Sequence, residues 1–348
     1  MGRQLGGLRG IAILLVVLNH TIIIGANRID ALGYPGANDW RATFLLTLDE
    51  LGHFAVPVFL FISGSFIAYA AGGKSKTISW KSLQSMLKRL LWPYLLWSVL
   101  FFIYTALRNG YMEPFLLYAK HLVVGYPYHF IPILIFYYAL SPILVPLARK
   151  YSYWLILVIA LCQLIMSNIQ TPGLLGFTFP GWMRIFAPPV LANTFTIWGV
   201  YFPMGLVFSL HAKEFNPKLY KIRWVSLIVT IALFIAGTSP ADAPYHFFLA
   251  RYIYPITFML LIPVIKRQWI PWVRHFEYVG KHSYGLYLAH MIMVDLAYWL
   301  IQLIVPGLYN YPILLRVPVF LTAVAIPLIL MEISTKLPTR NVYRYVFG

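Results

Sequence analysis

The stretch RGIAILLVVLNH, residues Arg9 to His20, lies inside a predominantly apolar segment from Leu5 to Gly25 and decides the fold class. The segment is long enough to cross about 30 Å of hydrocarbon as a helix. Eleven residues at about 100° each return the arginine and the histidine to nearly one face, roughly 16 Å apart along the axis. Ionisable groups in a membrane helix face a protein interior or a watery cavity, which favours a functional role. The alternative is that Arg9 snorkels to headgroups and His20 only bonds a neighbouring helix.

Composition indicates that the remainder of the chain is also a membrane protein. Of its 348 residues, 60% are hydrophobic and only 11% are charged, whereas a soluble domain carries about 25% charged residues. The sequence therefore predicts an all-α polytopic membrane protein. Ten segments are predicted to span: Leu5–Gly25, Phe54–Ala71, Leu90–Leu107, Phe130–Leu147, Trp154–Met166, Thr194–Leu210, Trp224–Gly237, Phe247–Ile265, Ser283–Val305 and Pro312–Ile333.

The distribution of basic residues orients these segments and explains the net charge of +17. With the N-terminus inside, twenty of the 27 lysines and arginines fall on the cytoplasmic side, as the positive-inside rule requires. Both termini are therefore predicted to be cytoplasmic. Basic loops that face anionic membrane lipid account for the charge, so no nucleic-acid partner is expected. The loops are too short for a second soluble domain, so residues 1–348 are predicted to form one transmembrane domain.

Polar residues interrupt the apolar background in helices two and three. Ser63 in HFAVPVFLFISGSF (53–66) is able to bond a ligand, although close helix packing by small residues explains it as well. Lys88 and Arg89 stand at the predicted cytoplasmic start of helix three, with Pro93 one turn later. They serve either as positive-inside anchors or, next to a helix start, as a phosphate site.

Two further places carry histidines. His129 stands at the outer entrance of helix four among aromatic residues, where an interfacial anchor is the simpler interpretation. In VGKHSYGLYLAH (279–290), Ser283, Tyr287 and His290 recur at helical spacing and are expected to share one face. Asp295 lies five residues beyond His290 and well off that face. The histidines are scattered and few carboxylates are intramembrane, so no metal site is expected.

Taken together, these motifs make the chain similar to the acyltransferase-3 family of membrane acyltransferases. The strongest is the arginine followed at eleven residues by a histidine in helix one, here Arg9 and His20. The others are LGGLRG (5–10), AVPVFLFISG (55–64), KRLLWPYLLWS (88–98), the YHF of residues 128–130 with Pro132, and GKHSYGLYLAH (280–290). Their order along nearly the whole chain makes the resemblance specific.

The chain departs from the family pattern at three places. Many relatives have an acidic residue three positions before the arginine, where this chain has Gly6, so a counter-ion for Arg9 must come from elsewhere. His53 replaces an arginine that often precedes the FAVP motif, and the usual SGF is interrupted by Ser65. The extracytoplasmic domain that is fused to some longer relatives is not expected here.

The resemblance implies a bacterial inner-membrane enzyme that moves an acyl group, most often acetyl, from acetyl-CoA to a hydroxyl of a surface glycan or lipid-linked sugar. His20 is then the general base, or alternatively a transient acyl carrier, because an imidazole with a pKa of about 6.5 suits this task. Arg9 would bind a CoA phosphate or steady the thioester carbonyl. Arg89 and Lys88 are candidates for the CoA phosphates. Four further residues are candidates for contacting the acceptor or for positioning His20: Ser63, His129, Tyr287 and His290.

Other functions remain open at this point. A permease or flippase for a polar or lipid-linked molecule would have the same helices and a polar interior, without any acyl chemistry. The basic residues Arg9, Lys88 and Arg89 at the inner face favour a CoA phosphate site over a transport path. An inactive partner of a glycan synthase fits less well, because the motif set is complete. The sequence leaves homodimerisation and partners in glycan assembly undecided.

Overall fold

The computed structural model describes residues 2–37, 39–72, 77–188, 195–239, 243–336 and 340–348. Helices dominate this part of the chain, which confirms the predicted all-α class. In chain order the α-helices are α1 Gly2–Ala31, α2 Trp40–Gly52, α3 Ala55–Ala70, α4 Trp80–Asn109, α5 Phe115–Val124, α6 Phe130–Tyr151, α7 Tyr153–Gln170, α8 Phe195–Trp198, α9 Tyr201–Leu210, α10 Ala212–Thr238, α11 Ala250–Met259, α12 Val273–Lys281, α13 Ser283–Ile304, α14 Pro312–Lys336 and α15 Arg340–Val346.

Eight helical segments of the described residues are long and apolar enough to cross a membrane. They comprise α1, α2 with α3, α4, α6, α7, α10, α13 and α14, and each coincides with one predicted span. The polytopic prediction is therefore confirmed. The other two predicted spans fall on shorter apolar helices, Thr196–Leu210 and Ala250–Val264, so the count of ten stays a prediction.

Helix three begins earlier than its hydropathy indicated. The helix α4 starts at Trp80, so Lys88 and Arg89 lie more than two turns inside it and the prediction that they mark its start was wrong. The segment WKSLQSMLKR (80–89) is too polar to be counted as a span, yet it contains good helix formers and continues the same helix. A phosphate site based on the free amides of a helix start is therefore not available to this pair.

The helix α2 lies between the first two predicted spans, in a segment that the assignment of spans treats as an outer loop. The helix α2 begins after Asp39, whose carboxylate accepts a hydrogen bond from the backbone N–H of Arg41 at 2.9 Å. The guanidinium of Arg41 also pairs with this carboxylate and lowers the pKa of Asp39. This N-cap satisfies a backbone donor of the first turn, which stabilises a helix that is only moderately apolar.

The chain divides into two compact units, and the boundary falls within α4, between Lys88 and Arg89. The first unit comprises Val56–Lys88 and Ala119–Trp269. At its centre lies α9, which packs against α6, α7, α10 and α11 and is buried from Tyr201 to Phe208. A Cβ atom on Gly205 would lie 1.8 Å from the carbonyl oxygen of Phe61, so α9 and α3 pack at backbone distance.

Side chains from α6 and α7 stabilise the break between α8 and α9. The amide of Gln163 donates to the carbonyl oxygen of Ile197 at 3.0 Å and accepts from the backbone N–H of Val200 at 2.8 Å. The hydroxyl of Tyr137 donates to the carbonyl oxygen of Gly199. Unpaired backbone groups are costly in an apolar interior, and these side chains replace the hydrogen bonds that the interrupted helix lacks. We call Gln163 and Tyr137 the glutamine clamp.

The second unit comprises Gly2–Ala55, Arg89–Tyr118 and Ile270–Gly348, and α1 is its central helix. This helix packs against α2, α12, α13 and α14. A Cβ atom on Gly10 would lie 1.9 Å from the carbonyl oxygen of Phe276, and one on Gly280 would lie 2.1 Å from that of Gly6. The glycines of LGGLRG and GKHSYG therefore bring the backbones of α1 and α12 together.

Candidate functional site

Two histidines meet in the second unit. His20 on α1 and His290 on α13 have ring centroids 5.2 Å apart, with the ring planes tilted by 43°. His20 is half-buried, whereas His290 is 1% exposed. Since α1 is one continuous helix from Gly2 to Ala31, Arg9 lies on the same helix roughly 16 Å from His20, as its sequence spacing predicted.

The hydrogen bonding of His290 fixes its tautomer. Its Nδ1 lies within hydrogen-bond distance of the carbonyl oxygen of Tyr287. A carbonyl oxygen only accepts, so Nδ1 carries a proton. Because a charged ring without a counter-ion would be costly at this buried position, the ring is neutral and keeps a lone pair on Nε2. That Nε2 atom is buried and has no hydrogen-bond partner among the described residues. The ring of His290 therefore presents an unused proton acceptor in the interior where His20 approaches it.

The residues predicted to share a face of α13 are all buried. Ser283 is 0% exposed and Tyr287 6%, and the Tyr287 ring centroid lies 5.5 Å from that of His290. The Oγ atom of Ser283 also has no hydrogen-bond partner within the described parts of the chain. The start of α13 is fixed by Tyr284, whose hydroxyl donates to the carbonyl oxygen of Leu90 on α4. This bond holds the turn of α4 that carries Arg89, whose side chain is exposed.

The side chain of Glu277 lies beside Gly6, the position at which an acidic residue was expected from the resemblance. The Cγ atom of Glu277 on α12 is 3.7 Å from where a Cβ atom of Gly6 would stand. Gly6 precedes Arg9 by three residues and therefore lies on the same side of α1. The close glycine contact between α1 and α12 brings Glu277 to this place, so a neighbouring helix supplies negative charge near the arginine turn.

Sequence analysis did not predict the contact that anchors the histidine turn of α1 to α2. The side-chain amide of Asn19 donates to the carboxylate of Asp49 at 2.7 Å and to its backbone oxygen at 3.3 Å. A Cβ atom on Gly52 would lie 2.6 Å from the Cβ of Asn19, so α2 packs closely on α1. Because α2 was predicted to be a loop, its partner side chains could not be placed on one face.

A charged cluster further along α1 and α13 was also missed. Asp295 accepts hydrogen bonds from the guanidinium groups of Arg28 and Arg108 and from the hydroxyl of Tyr104, the last at 2.7 Å. The side chains of the three charged residues are each about one-fifth exposed. The signal for it was an aspartate inside an apolar helix, which demands a cationic partner. We call Arg28, Arg108 and Asp295 the aspartate triad.

Three of the predicted site residues lie in the first unit, namely Ser63, Lys88 and His129. Ser63 is half-buried on α3, and the hydrogen bond to α9 is made instead by Ser65, whose hydroxyl donates to the carbonyl oxygen of Gly205 at 3.3 Å. Lys88 is exposed. His129 stands just before α6, and its partial burial lowers its pKa below the ordinary value.

The comparison with protein families identifies the chain. A family model described as an acyltransferase domain matches residues 3–332. The chain belongs to the acyltransferase-3 family. The match covers both units, and the protein is accordingly a membrane acyltransferase. No curated protein and no solved structure is significantly similar to this chain.

For an acyltransferase, the second unit offers a suitable set of groups. A half-buried imidazole, His20, adjoins a buried neutral imidazole and lies on the same helix as Arg9. An imidazole accepts a proton near neutral pH, and a guanidinium binds phosphate or a developing oxyanion. Among the described residues, no three His, Cys, Asp or Glu side chains are grouped to hold a metal ion.

Proposed function

We propose that this acyltransferase moves an acetyl group from acetyl-CoA to a hydroxyl of a surface glycan or a lipid-linked sugar, with His20 as the general base. The observation that carries the proposal is the histidine pair. His20 is accessible enough to meet a substrate, and His290 behind it is neutral, buried and fixed by the Tyr287 carbonyl.

The two histidines divide the chemistry according to their burial. His20 accepts the proton of the acceptor hydroxyl as the oxygen attacks the thioester carbonyl. The C–S bond then breaks, the ester forms, and the proton passes to the departing CoA thiolate. His290 is too buried to contact the acceptor, so we assign it to positioning His20 rather than to binding substrate. Its unpaired Nε2 is able to accept a hydrogen bond from a protonated His20.

The donor would bind toward the N-terminal end of α1. Arg9 offers a guanidinium for a CoA phosphate or the thioester carbonyl, and Glu277 beside Gly6 offsets its charge within the membrane. Arg89 is exposed on a turn that Tyr284 holds to α13, which suits a contact with the CoA phosphates. Lys88 precedes it and is exposed as well. The long pantetheine arm would cover the roughly 16 Å from Arg9 to His20.

We propose an inner-membrane location in a bacterium, with the N-terminus in the cytoplasm. The bias of twenty basic residues to one side supports this orientation. Acetyl-CoA is available only inside, whereas surface glycans are completed outside, and His20 lies roughly 22 Å along the helix from Leu5, past the bilayer middle.

The test combines binding and transfer with purified protein in detergent. Calorimetry should show saturable acetyl-CoA binding to the wild type, weakened at least roughly tenfold in Arg9→Ala and in Arg89→Ala. The His20→Ala protein should bind acetyl-CoA normally but lose roughly 10²- to 10⁴-fold in acetyl transfer after reconstitution. A folded, monodisperse wild type that binds no acetyl-CoA would overturn the proposal and favour a permease. Full transfer by His20→Ala would remove the role of His20 alone.

A further inference from the structure

A cavity of about 430 Å³ lies within the second unit, between α1, α2 and the start of α14. Pockets that bind small ligands in proteins fall in the range of about 300–1,000 Å³. Aliphatic side chains such as Ile22, Ile23 and Leu46 line part of it. Its size and concave shape are therefore those of a ligand site.

The polar lining of this cavity combines donors with acceptors. Asp30 and Asp49 contribute carboxylates, Asn27 an amide and Arg316 a guanidinium. Arg316 is only 6% exposed, and it donates to the carbonyl oxygens of Pro312 at 2.6 Å and Ile22 at 3.3 Å. Its Nε has no hydrogen-bond partner among the described residues, and no carboxylate there pairs with it.

The cavity begins one helical turn beyond His20. Ile23 follows His20 by three residues and Asn27 by seven, and both spacings lie on nearly the same face of α1. Asp49 is bonded by Asn19, the residue that directly precedes His20. A ligand in the cavity would therefore extend from the turn that carries the proposed base, on the side away from Arg9.

We propose that this cavity binds the acceptor, and that its occupant is a polyhydroxylated ring, a sugar; this inference rests on the proposed function. Sugar hydroxyls donate to Asp30 and Asp49 and accept from Asn27 and Arg316, which satisfies both kinds of lining group at once. A simple anion would pair with Arg316 but would face two carboxylates. A bare acyl chain would leave the same carboxylates unsolvated. The aliphatic residues cover the C–H faces of the sugar or the first units of its lipid carrier.

The experiment measures donor binding and acetyl transfer separately. Wild type, Leu46→Trp, Asp49→Asn and Asp30→Asn are reconstituted into membranes made from host lipid extract, used as the source of lipid-linked sugar, and are supplied with radiolabelled acetyl-CoA. Leu46 is 63% exposed, so a tryptophan fills the cavity without entering the core. The asparagine at position 49 still accepts the bond from Asn19. Thr43→Trp is the matched control, because Thr43 is exposed on the same helix and does not line the cavity.

We expect each cavity variant to lose at least roughly tenfold in transfer, recovered in part by more extract, because unpaired or excluded sugar contacts weaken acceptor binding. Acetyl-CoA affinity, retention volume and the Thr43→Trp control should match the wild type. Transfer at the wild-type rate in all three cavity variants would overturn the inference while the proposed function stands. A wild type without acetyl-CoA binding would overturn both, and this arm does not depend on any cavity residue.

Discussion

Both units place polar side chains deep among apolar helices, but they use them for different ends. In the first unit, the glutamine clamp directs its hydrogen-bonding groups at the backbone of the broken α8–α9 segment. In the second unit, Nδ1 of His290 donates a hydrogen bond to the backbone of its own helix. Its Nε2 has no partner among the described residues, and the ring lies beside His20. Polar side chains that hydrogen-bond to backbone groups stabilise the fold, whereas a buried polar atom without a hydrogen-bond partner is available for chemistry.

The largest expected effects come from the glycines that bring helices into backbone contact, one in each unit. A methyl group at Gly205 or Gly10 would stand within 2 Å of a carbonyl oxygen of the facing helix, so the helices must separate. Gly205→Ala and Gly10→Ala should each destabilise the protein by roughly 3 kcal/mol, the upper end for overpacking. Thermal unfolding in detergent measures this, with Gly36→Ala as the control because its surroundings are open.

The variants Gly10→Ala and Gly205→Ala also test whether acetyl-CoA binding depends on the second unit and not on the first. After correction for unfolded protein, Gly10→Ala should weaken acetyl-CoA binding, because α12 and the Arg9 turn shift together. Gly205→Ala should leave the affinity of the folded fraction unchanged. Equal loss of affinity in both variants would contradict the assignment of the donor site to the second unit.

An intermediate effect is expected when either buried polar residue, Gln163 or His290, is replaced by an apolar one. Gln163→Leu leaves the backbone N–H of Val200 and the carbonyl of Ile197 without their partner and should cost roughly 1–3 kcal/mol of stability. His290→Phe keeps an aromatic ring at this position but removes both ring nitrogens. It should change stability less, but lower transfer roughly 100-fold through kcat rather than KM. Unfolding curves and transfer kinetics on the same preparations separate the two. A His290→Phe protein with normal kcat would refute the positioning role.

The smallest expected effect is on the pH dependence of stability, through the titration of His129 in the first unit. Burial lowers the pKa of this histidine in the folded protein, whereas the unfolded value is about 6.5. The neutral ring therefore contributes stability above pH 6.5, and this contribution is lost as the pH falls through the lower folded pKa. His129→Gln should flatten the decline in unfolding temperature between pH 7.5 and pH 5, compared with the exposed control His275→Gln. An unchanged decline would contradict this.

Much of the architecture could be predicted because the length of each apolar run can be read directly from consecutive residues. The eight long helical segments follow from runs of apolar residues. The α4 start and the helices α2 and α12 could not be placed, because they are less apolar than the spans. Their formation depends on capping and on tertiary packing, such as the glycine contacts of α12 with α1.

The site could be predicted only where its residues share a helix. The spacing of Arg9 and His20 and the buried face of Ser283, Tyr287 and His290 are properties of single helices. The meeting of His20 with His290, the Asn19–Asp49 bond and Glu277 beside Gly6 join segments that are distant in the sequence. No local pattern specifies which helices become neighbours. The aspartate triad was missed for the same reason, although an intramembrane carboxylate always calls for a partner.

The aspartate triad has a mechanical consequence. It ties α1, α4 and α13 together at one level, because Arg28, Arg108 and Asp295 each belong to a different one of these helices. Bilayers of different thickness tilt or slide individual helices to match their hydrophobic length. Helices that are pinned by shared ionic bonds must respond as one body. The relative position of His20 on α1 and His290 on α13 should therefore stay the same in membranes of different thickness.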